Sequence, residues 1–181
     1  MSLKKFTYFC GGQIYEFSTK PVPTINQKNC IVPLNLPPRQ LQLRHNSSAR
    51  IEIYDTLRRR WLLLTPEEWV RQHFVAHLIC DHGYPASLMA NEVSISLNGL
   101  HRRCDSVVWR NSDGTPLMIV EYKAPTVELT AKVFEQIVRY NMVLQAPYLI
   151  VSNGLNHYCC AVDCAEGTYT FLPGIPDYSS L

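Results

Sequence analysis

Two strand-like runs joined by a short turn restrict the fold of this chain more than any other feature. Residues 104–109 and 117–123 are rich in apolar and β-branched side chains, and residues 111–114 between them have the composition of a turn. A three-residue loop with its glycine in the left-handed conformation would place Asn111 opposite Thr115. The sequence therefore predicts an antiparallel hairpin whose register follows from the residue numbers.

This register brings three charged side chains together. Asp105 of the first strand falls opposite Glu121 of the second, which places their β-carbons ~5 Å apart on one face. Lys123 lies two residues beyond Glu121 and shares that face, because side chains alternate along a strand. The hairpin therefore predicts a carboxylate pair with an ammonium group beside it.

Such a group suits a divalent cation. Two carboxylates at this distance repel each other, and one of them protonates in a half-buried site unless a cation lies between them. Mg²⁺ is the usual hard cation with oxygen ligands, and Mn²⁺ is a substitute for it. A lysine beside the metal can hold an attacking water or stabilise the charge that develops on a phosphate. The alternative interpretation is a set of edge-strand charges, in which Glu121 and Lys123 form a solvated pair.

The remaining pattern alternates strands and helices. Thr65 as N-cap, Pro66 at N1 and Glu68 at N3 predict the start of a helix that ends near Gly83. A second helix is predicted over residues 129–144. Further strands are predicted at residues 51–54, 60–64, 93–97, 148–152, 157–162 and 168–171. We expect an α/β fold, with one mixed β-sheet and a helix on either side of it.

The first fifty residues differ from the rest of the chain in their charge and proline content. Residues 1–50 carry seven Lys or Arg and one acid, while residues 51–181 carry ten and fourteen. The first fifty residues also hold five of the twelve prolines, which predicts a basic, extended and poorly packed arm. A hairpin is predicted within it around residues 10–13. We expect a globular domain over residues 51–172 and a tail over residues 173–181.

The charged hairpin resembles a known nuclease pattern. Asp105, fifteen intervening residues and then Glu121-Tyr122-Lys123 resemble the PD-(D/E)xK nuclease superfamily. Gln136 and Tyr140 on the next helix are similar to the Q-x-x-x-Y element of its RecB-like and type I restriction branches. The wider string is similar, in order, to the N-terminal nuclease domain of type I restriction enzyme R subunits at residues 64–72, 103–105, 120–125, 136–141 and 152–154.

The resemblance implies a restriction-endonuclease-like fold, a central mixed β-sheet flanked by helices, and an endonuclease that cleaves DNA with Mg²⁺. Asp105 and Glu121 would be metal ligands and Lys123 the catalytic lysine. Gln136 and Tyr140 would orient this lysine or contact the DNA backbone; otherwise they are residues of an ordinary helix. The same fold in a catalytically weak or inactive nucleic-acid-binding module is the alternative.

A helical glutamate often completes this metal site, and two candidates compete for the role. Glu68 at N3 has a capping function available to it, whereas Glu67 falls on the helix face of Val70, Phe74 and Leu78, which is expected to point at the sheet. We therefore select Glu67 as the third metal ligand. The alternative for either residue is a first-turn acid that complements the helix dipole.

The chain departs from the family pattern in two ways. Cys104 stands where the superfamily name has proline, at a loosely specified position. The chain also contains no G-x-x-x-x-G-K-[ST] phosphate loop, so that a helicase motor is not expected. We therefore expect a free-standing nuclease-like domain, or a relic of one.

Several arginines are candidates for contacts with DNA phosphates. Arg71, Arg102 and Arg103 are predicted to bind nucleic acid, although each is equally typical of a solvated surface charge. The expected partners are DNA and other restriction-modification or defence proteins, and a homodimer is left open.

Histidine and cysteine patterns predict no further site. His73 and His77 stand one helical turn apart, but without a third ligand nearby they are interpreted as helix-face residues. The seven cysteines include no C-x-x-C pair, and we expect them to be reduced in the cytoplasm. No run of ~20 mainly apolar residues spans a membrane.

Overall fold

The structure, a computed structural model, divides the chain into two compact units, Met1–Pro33 and Leu34–Leu181. The residues it describes are 6–10, 13–17, 31–97, 100–130, 134–135, 137–138, 141 and 144–181. In the first unit, β1 (Phe6–Cys10) pairs antiparallel with β2 (Gln13–Phe17). The hairpin predicted around residues 10–13 is therefore confirmed.

A small sheet precedes the first helix in the second unit. It consists of β3 (Leu43–His45), β4 (Ile51–Asp55) and β5 (Arg60–Leu63), in the order β3-β4-β5 with antiparallel pairing. The prediction of a single sheet was wrong, because β3 and β5 occupy both edges of β4. The first two predicted strands thus form no ladder with the main sheet.

Helix α1 (Pro66–Asp81) begins as the sequence predicts. The Thr65 side chain accepts a hydrogen bond from the backbone N–H of Glu68 (3.1 Å), and Pro66 opens the first turn. One face of the helix, with Val70, Phe74 and Leu78, is fully buried. Apolar burial of this face fixes α1 against the main sheet.

Six strands form the main sheet, in the order β11-β10-β9-β8-β7-β6. Their bounds are β6 (Met89–Leu97), β7 (Leu100–Trp109), β8 (Pro116–Tyr122), β9 (Tyr148–Ser152), β10 (His157–Asp163) and β11 (Thr168–Phe171). Strands β8 and β9 pair parallel, and the other neighbours pair antiparallel. The mixed α/β fold predicted from the sequence is therefore confirmed.

Alternate residues of the central strand β8 face opposite layers of the protein. Met118 and Val120 belong to one apolar cluster with Phe74 of α1. Ile119 belongs to a second cluster with Phe134, which lies in the second predicted helix. Of that helix the described residues 134, 135, 137, 138, 141 and 144 are helical. The sheet therefore has helical residues on both faces.

The limits of the globular unit differ from the prediction at both ends. Residues 34–50 belong to this unit, since Leu34 and Leu36 pack on the core and β3 pairs with β4. Residues 173–181 are not a loose tail either, because Ile175 and Tyr178 pack against the same core. The prolines of residues 33–38 thus mark an extended but packed segment.

Among the described residues, none of the helices has the length and apolar character that crossing a membrane requires.

Candidate active site at the ends of β7 and β8

The ladder between β7 and β8 has the predicted register at its acidic end. Ser106 pairs with Val120, Val107 with Ile119 and Val108 with Met118. Asp105 and Glu121 are the next residues along these two strands. Glu121 belongs to the face of Ile119, because side chains alternate along β8. In β7 this alternation is interrupted at Asp105, since Cys104 and Val107 both pack in the second apolar cluster. The charge of Asp105 acts on Glu121, so the two carboxylates lie near each other; that they share one face stays a prediction.

The turn that sets this register is not the one expected. Arg110, rather than Asn111, pairs with Thr115 through its N–H (2.8 Å), so that the loop has four residues. Gly114 has the predicted left-handed conformation, with a φ of +68°. A β-bulge then leaves Leu117 as an extra residue, because Trp109 pairs with Pro116 and Val108 with Met118. These two departures of one residue cancel, so that Ser106 pairs with Val120 as predicted.

Glu121 is a half-buried carboxylate with a cationic neighbour. The Lys123 Nζ donates a hydrogen bond to its Oε1 (3.1 Å). Burial raises the pKa of Glu121 above its ordinary value, and the negative charge of Asp105 adds to the rise, whereas Lys123 opposes it. Lys123 therefore compensates the negative charge of Glu121 only in part.

The ammonium group of Lys123 stays protonated in this environment. Burial acts to lower the pKa of Lys123 and is the largest single influence on it. The charge and hydrogen bond of Glu121, with the charges of Asp105 and Glu67, outweigh burial and raise this pKa above its ordinary value. Lys123 is thus a fixed positive charge beside two carboxylates.

Asp105 is held in place by two donors. Its Oδ2 accepts a hydrogen bond from the backbone N–H of Tyr122 (2.8 Å), and its Oδ1 accepts one from Arg71 Nη2 (3.0 Å). The contact with the Tyr122 N–H crosses from β7 to β8. The carboxylate of Asp105 is therefore fixed next to the strand that carries Glu121.

Arg71 occupies a different place from the one predicted. Its guanidinium is buried and forms ion pairs with Glu68 (2.7 Å), Glu92 (2.6 Å) and Asp105 (3.0 Å). The prediction that Arg71 contacts nucleic acid does not fit this position, because three carboxylates already surround the group. It acts instead as an internal clamp on Asp105.

Glu92 is a member of this cluster that the sequence analysis missed. It has a left-handed φ of +57° and lies between Asn91 and Val93 in β6. Its carboxylate pairs with Arg71 and with Arg103. The only available signal was one acid within a strand of otherwise uncharged residues.

The two competing helical glutamates have different environments. Glu68 is buried, and its carboxylate accepts hydrogen bonds from Arg58, Arg71 and Gln72. Glu67 is exposed, and its charge contributes to the raised pKa values of Glu121 and Lys123. The expectation that Glu67 lies on the buried face was wrong. Glu67 nevertheless has the freer carboxylate near Glu121.

Other predicted site residues fall at the edge of what is described. Gln136 and Tyr140 lie outside the described residues. Arg102 lies in β7, but its side chain is not among those described. Arg103 is exposed and pairs with Glu92.

Asp105 and Glu121 offer hard oxygen donors. The pKa of Glu121 is raised by burial first and by the charge of Asp105 second, and a divalent cation would relieve both effects. Within the described part of the chain, no three or more His, Cys, Asp or Glu side chains converge as a metal cluster. The residues therefore fit a cation held by two carboxylates, with water completing its coordination.

Comparison with known proteins gives one match. The family model described as type I restriction enzyme R protein N terminus (HSDR_N) matches residues 66–176. No curated protein and no solved structure matches significantly. The matched range begins with α1 and includes Asp105, Glu121 and Lys123.

Proposed function

Because the chain belongs to the family of type I restriction enzyme R protein N termini, we propose that it is a DNA endonuclease that hydrolyses phosphodiester bonds with Mg²⁺. One observation carries the proposal. The carboxylates of Asp105 and Glu121 lie near each other beside the Lys123 ammonium, and burial together with the charge of Asp105 raises the pKa of Glu121. The restriction-modification context follows from the family alone.

The residues have separable roles in this proposal. Asp105 and Glu121 would hold the cation through their carboxylate oxygens, and Glu67 would supply a further oxygen. When bound, the cation would polarise the scissile phosphate and favour ionisation of a coordinated water. Lys123 acts through its charge rather than as a base, since its pKa is raised. It would stabilise the negative charge that develops on the phosphate.

Four further residues have proposed contacts with the lysine or the DNA. Gln136 and Tyr140 would orient Lys123 or contact the backbone of the DNA. Arg102 and Arg103 would bind phosphates near the mouth of the site. The proposal for Arg103 requires its ion pair with Glu92 to exchange for a phosphate.

A second candidate function is a nucleic-acid-binding module with little or no turnover. It is supported by the hydrogen bonds to Asp105, both of whose oxygens accept from a donor of the protein. A site that is already satisfied in this way can persist as structure after activity is lost. DNA would then bind without being cut.

Cleavage of supercoiled plasmid tests the proposal. We expect nicking that depends on Mg²⁺ or Mn²⁺ and stops with a chelator. Lys123→Met, which keeps the length of the side chain but removes its charge, is expected to reduce the rate at least about 100-fold. Arg110→Met is the matched control, because it removes one positive charge at the opposite end of the same hairpin and is expected to cleave normally.

Two outcomes would contradict the nuclease proposal. A folded Lys123→Met protein that retains the full rate would show that the lysine is not part of the chemistry. Plasmid uncut with either cation, together with a salt-dependent gel shift of duplex DNA, would favour the binding module instead.

A further inference from the structure

Two histidines face each other at the C-terminal end of α1, outside the carboxylate site. The Nε2 atoms of His77 and His82 are 3.2 Å apart. His77 Nδ1 lies 2.6 Å from an oxygen of Asp81, and His82 Nδ1 lies 3.0 Å from an oxygen of Asp177. In each imidazole, Nδ1 therefore faces a carboxylate and Nε2 faces the other imidazole.

These contacts determine which nitrogen of each ring carries a hydrogen. An ionised carboxylate only accepts hydrogen bonds, so the Nδ1 of each ring carries a hydrogen. In two neutral rings, both Nε2 atoms then present lone pairs to each other at a distance where lone pairs repel. The arrangement requires a positive centre between the two Nε2 atoms, either a proton or a metal ion.

The spacing fits two ligands of one tetrahedral ion. Nitrogens that each lie about 2.0–2.1 Å from zinc are about 3.3–3.4 Å apart at the tetrahedral angle. We propose that His77 and His82 bind a divalent transition-metal ion of the zinc class through their Nε2 atoms. Imidazole nitrogen suits such ions, whereas the carboxylate pair at β7 and β8 suits Mg²⁺.

The surroundings of the two rings support a metal rather than a shared proton. Metal-binding histidines almost always donate their other N–H to a carboxylate, a carbonyl or water, and here both rings have a carboxylate. Asp81 is itself held by Arg39, at 2.5 Å. These carboxylates orient the two rings so that each Nε2 faces the proposed ion.

The rings are positioned by parts of the chain that are distant in sequence. The backbone carbonyl of His82 accepts a hydrogen bond from the N–H of Tyr178 (2.9 Å), and the Tyr84 hydroxyl donates to the carbonyl of Pro176 (2.9 Å). These contacts seat the segment that carries Asp177 against the end of α1. The C-terminal residues thus complete the proposed site.

A cavity of about 510 Å³ provides access to the proposed ion. Both histidines line it, with residues 171–175 as part of its wall. His157 and Cys159 line the same cavity, but both ring nitrogens of His157 already have partners, the Ser152 hydroxyl (2.8 Å) and the Asn35 carbonyl (2.9 Å). Among the described residues, no group of three or more His, Cys, Asp or Glu that could hold a metal is found. Two coordination positions would therefore remain for water or for a donor atom of a small molecule in the cavity, as in open zinc sites.

Calorimetric titration of tag-free protein with ZnCl₂ tests this site. The titration is done in excess Mg²⁺ and on Glu121→Gln protein, so that the carboxylate pair does not contribute. We expect one zinc ion per chain, and a rise in Tm when zinc is added. His77→Ala and His82→Ala are each expected to weaken binding at least about 10-fold, with folding of the zinc-free variants verified by circular dichroism.

Two controls separate this site from other donors. His45→Ala removes an exposed histidine of β3, and Cys80→Ser removes an exposed thiol of α1. Both variants are expected to bind zinc as the wild type does. In addition, Co²⁺ bound to the wild type is expected to give the visible absorption of a tetrahedral ion, and this signal disappears in the folded His82→Ala variant.

Either of two results would overturn the proposal. Absence of saturable zinc binding would mean that the two rings share a proton. Zinc binding that is unchanged in both folded histidine variants would place the ion elsewhere. Neither result bears on DNA cleavage, because the carboxylate site uses none of these residues.

Discussion

Asp55 and Glu121 are two shielded carboxylates of the same domain, and they differ in how their charge is compensated. Asp55 is completely buried, yet its pKa is lowered, although burial acts to raise it. Glu121 is more exposed, yet its pKa is raised. Burial is the largest single influence on both pKa values and acts to raise each; the donors around Asp55 outweigh it, whereas the single donor at Glu121 does not.

The neighbours of Asp55 are all donors. Its Oδ1 accepts hydrogen bonds from the backbone N–H groups of Leu57 and Arg58, and its Oδ2 accepts from Arg58 Nε and Asn91 Nδ2. Four donors stabilise the ionised form more than desolvation destabilises it. Asp55 is thus a structural carboxylate whose charge is fully compensated.

The neighbours of Glu121 are of mixed sign. Lys123 donates one hydrogen bond, while Asp105 and Glu67 add negative charge. An incompletely compensated carboxylate destabilises the fold, but it leaves lone pairs for a cation. This contrast separates a carboxylate that stabilises the domain from one that is available for chemistry.

The sharpest test of this contrast compares cleavage by two isosteric variants. Glu121→Gln is expected to lower the rate of plasmid cleavage at least about 100-fold, because it removes a proposed metal ligand. Asp55→Asn is expected to retain cleavage when it is measured well below its Tm. Glu166→Gln, an exposed residue of the turn between β10 and β11, is the control for loss of a negative charge. Equal losses in Glu121→Gln and Asp55→Asn would remove the distinction.

Thermal stability is expected to be affected in the reverse order, with a loss in Asp55→Asn and none in Glu121→Gln. Asp55→Asn breaks the buried ion pair with Arg58, which keeps only Glu68 as a counter-charge, at a cost of about 3–5 kcal/mol in the free energy of unfolding. The Tm should fall by on the order of 10 °C in differential scanning calorimetry, given about 2–4 °C per kcal/mol in a chain of this size.

The chain offers a closely matched control for that measurement. Asp163 accepts hydrogen bonds from the N–H groups of Ala165 and Glu166, as Asp55 does from the two corresponding residues, but Asp163 is exposed. Asp163→Asn is expected to change stability by less than about 1 kcal/mol. A large loss in Asp163→Asn would assign the effect to the turn rather than to burial.

The smallest expected effect is a gain in stability for Glu121→Gln. In the unfolded chain Glu121 titrates near its ordinary value of 4.5, whereas the folded pKa is higher. Between pH 4.5 and the folded pKa, the folded state therefore binds more protons than the unfolded state. The wild type loses stability as pH rises through this range. A glutamine escapes this cost, so that its Tm should exceed that of the wild type by a few degrees at neutral pH in EDTA.

The pH dependence of this gain identifies its cause. The difference in Tm is expected to shrink as pH falls and to vanish below 4.5, where Glu121 is protonated in both the folded and the unfolded state. A difference that persists at low pH would indicate better packing of the glutamine rather than relief of charge.

Local patterns predicted the helix start, most strands and the hairpin, because each depends on residues close in sequence. Thr65 and Pro66 specify a helix start through their own hydrogen-bonding groups, and Gly114 specifies a turn. The β7–β8 register was right although the loop was wrong by one residue, since the bulge at Leu117 was not foreseen. A bulge is a property of both strands and the turn together.

Contacts between residues distant in sequence were the features that the sequence did not predict. The face of α1 that is buried near Glu68 depends on Arg58 and Arg71, which reach it from a preceding turn and the next helical turn. The pairing of β4 with β3 drew residues 43–45 out of the predicted arm. Likewise, the contact between His82 and Asp177 joins residues 95 positions apart, and no local pattern predicts it.

The extra residue in β8 limits how this chain can change length. Without Leu117 as a bulge, the four-residue turn would shift β8 by one residue along β7, so that Val120 would pair with Asp105 and Glu121 with Cys104. A deletion in the turn is therefore tolerated only with a second length change in β8 that restores the alignment. Anyone who grafts a different loop onto this hairpin must transfer the loop and the bulge as one unit.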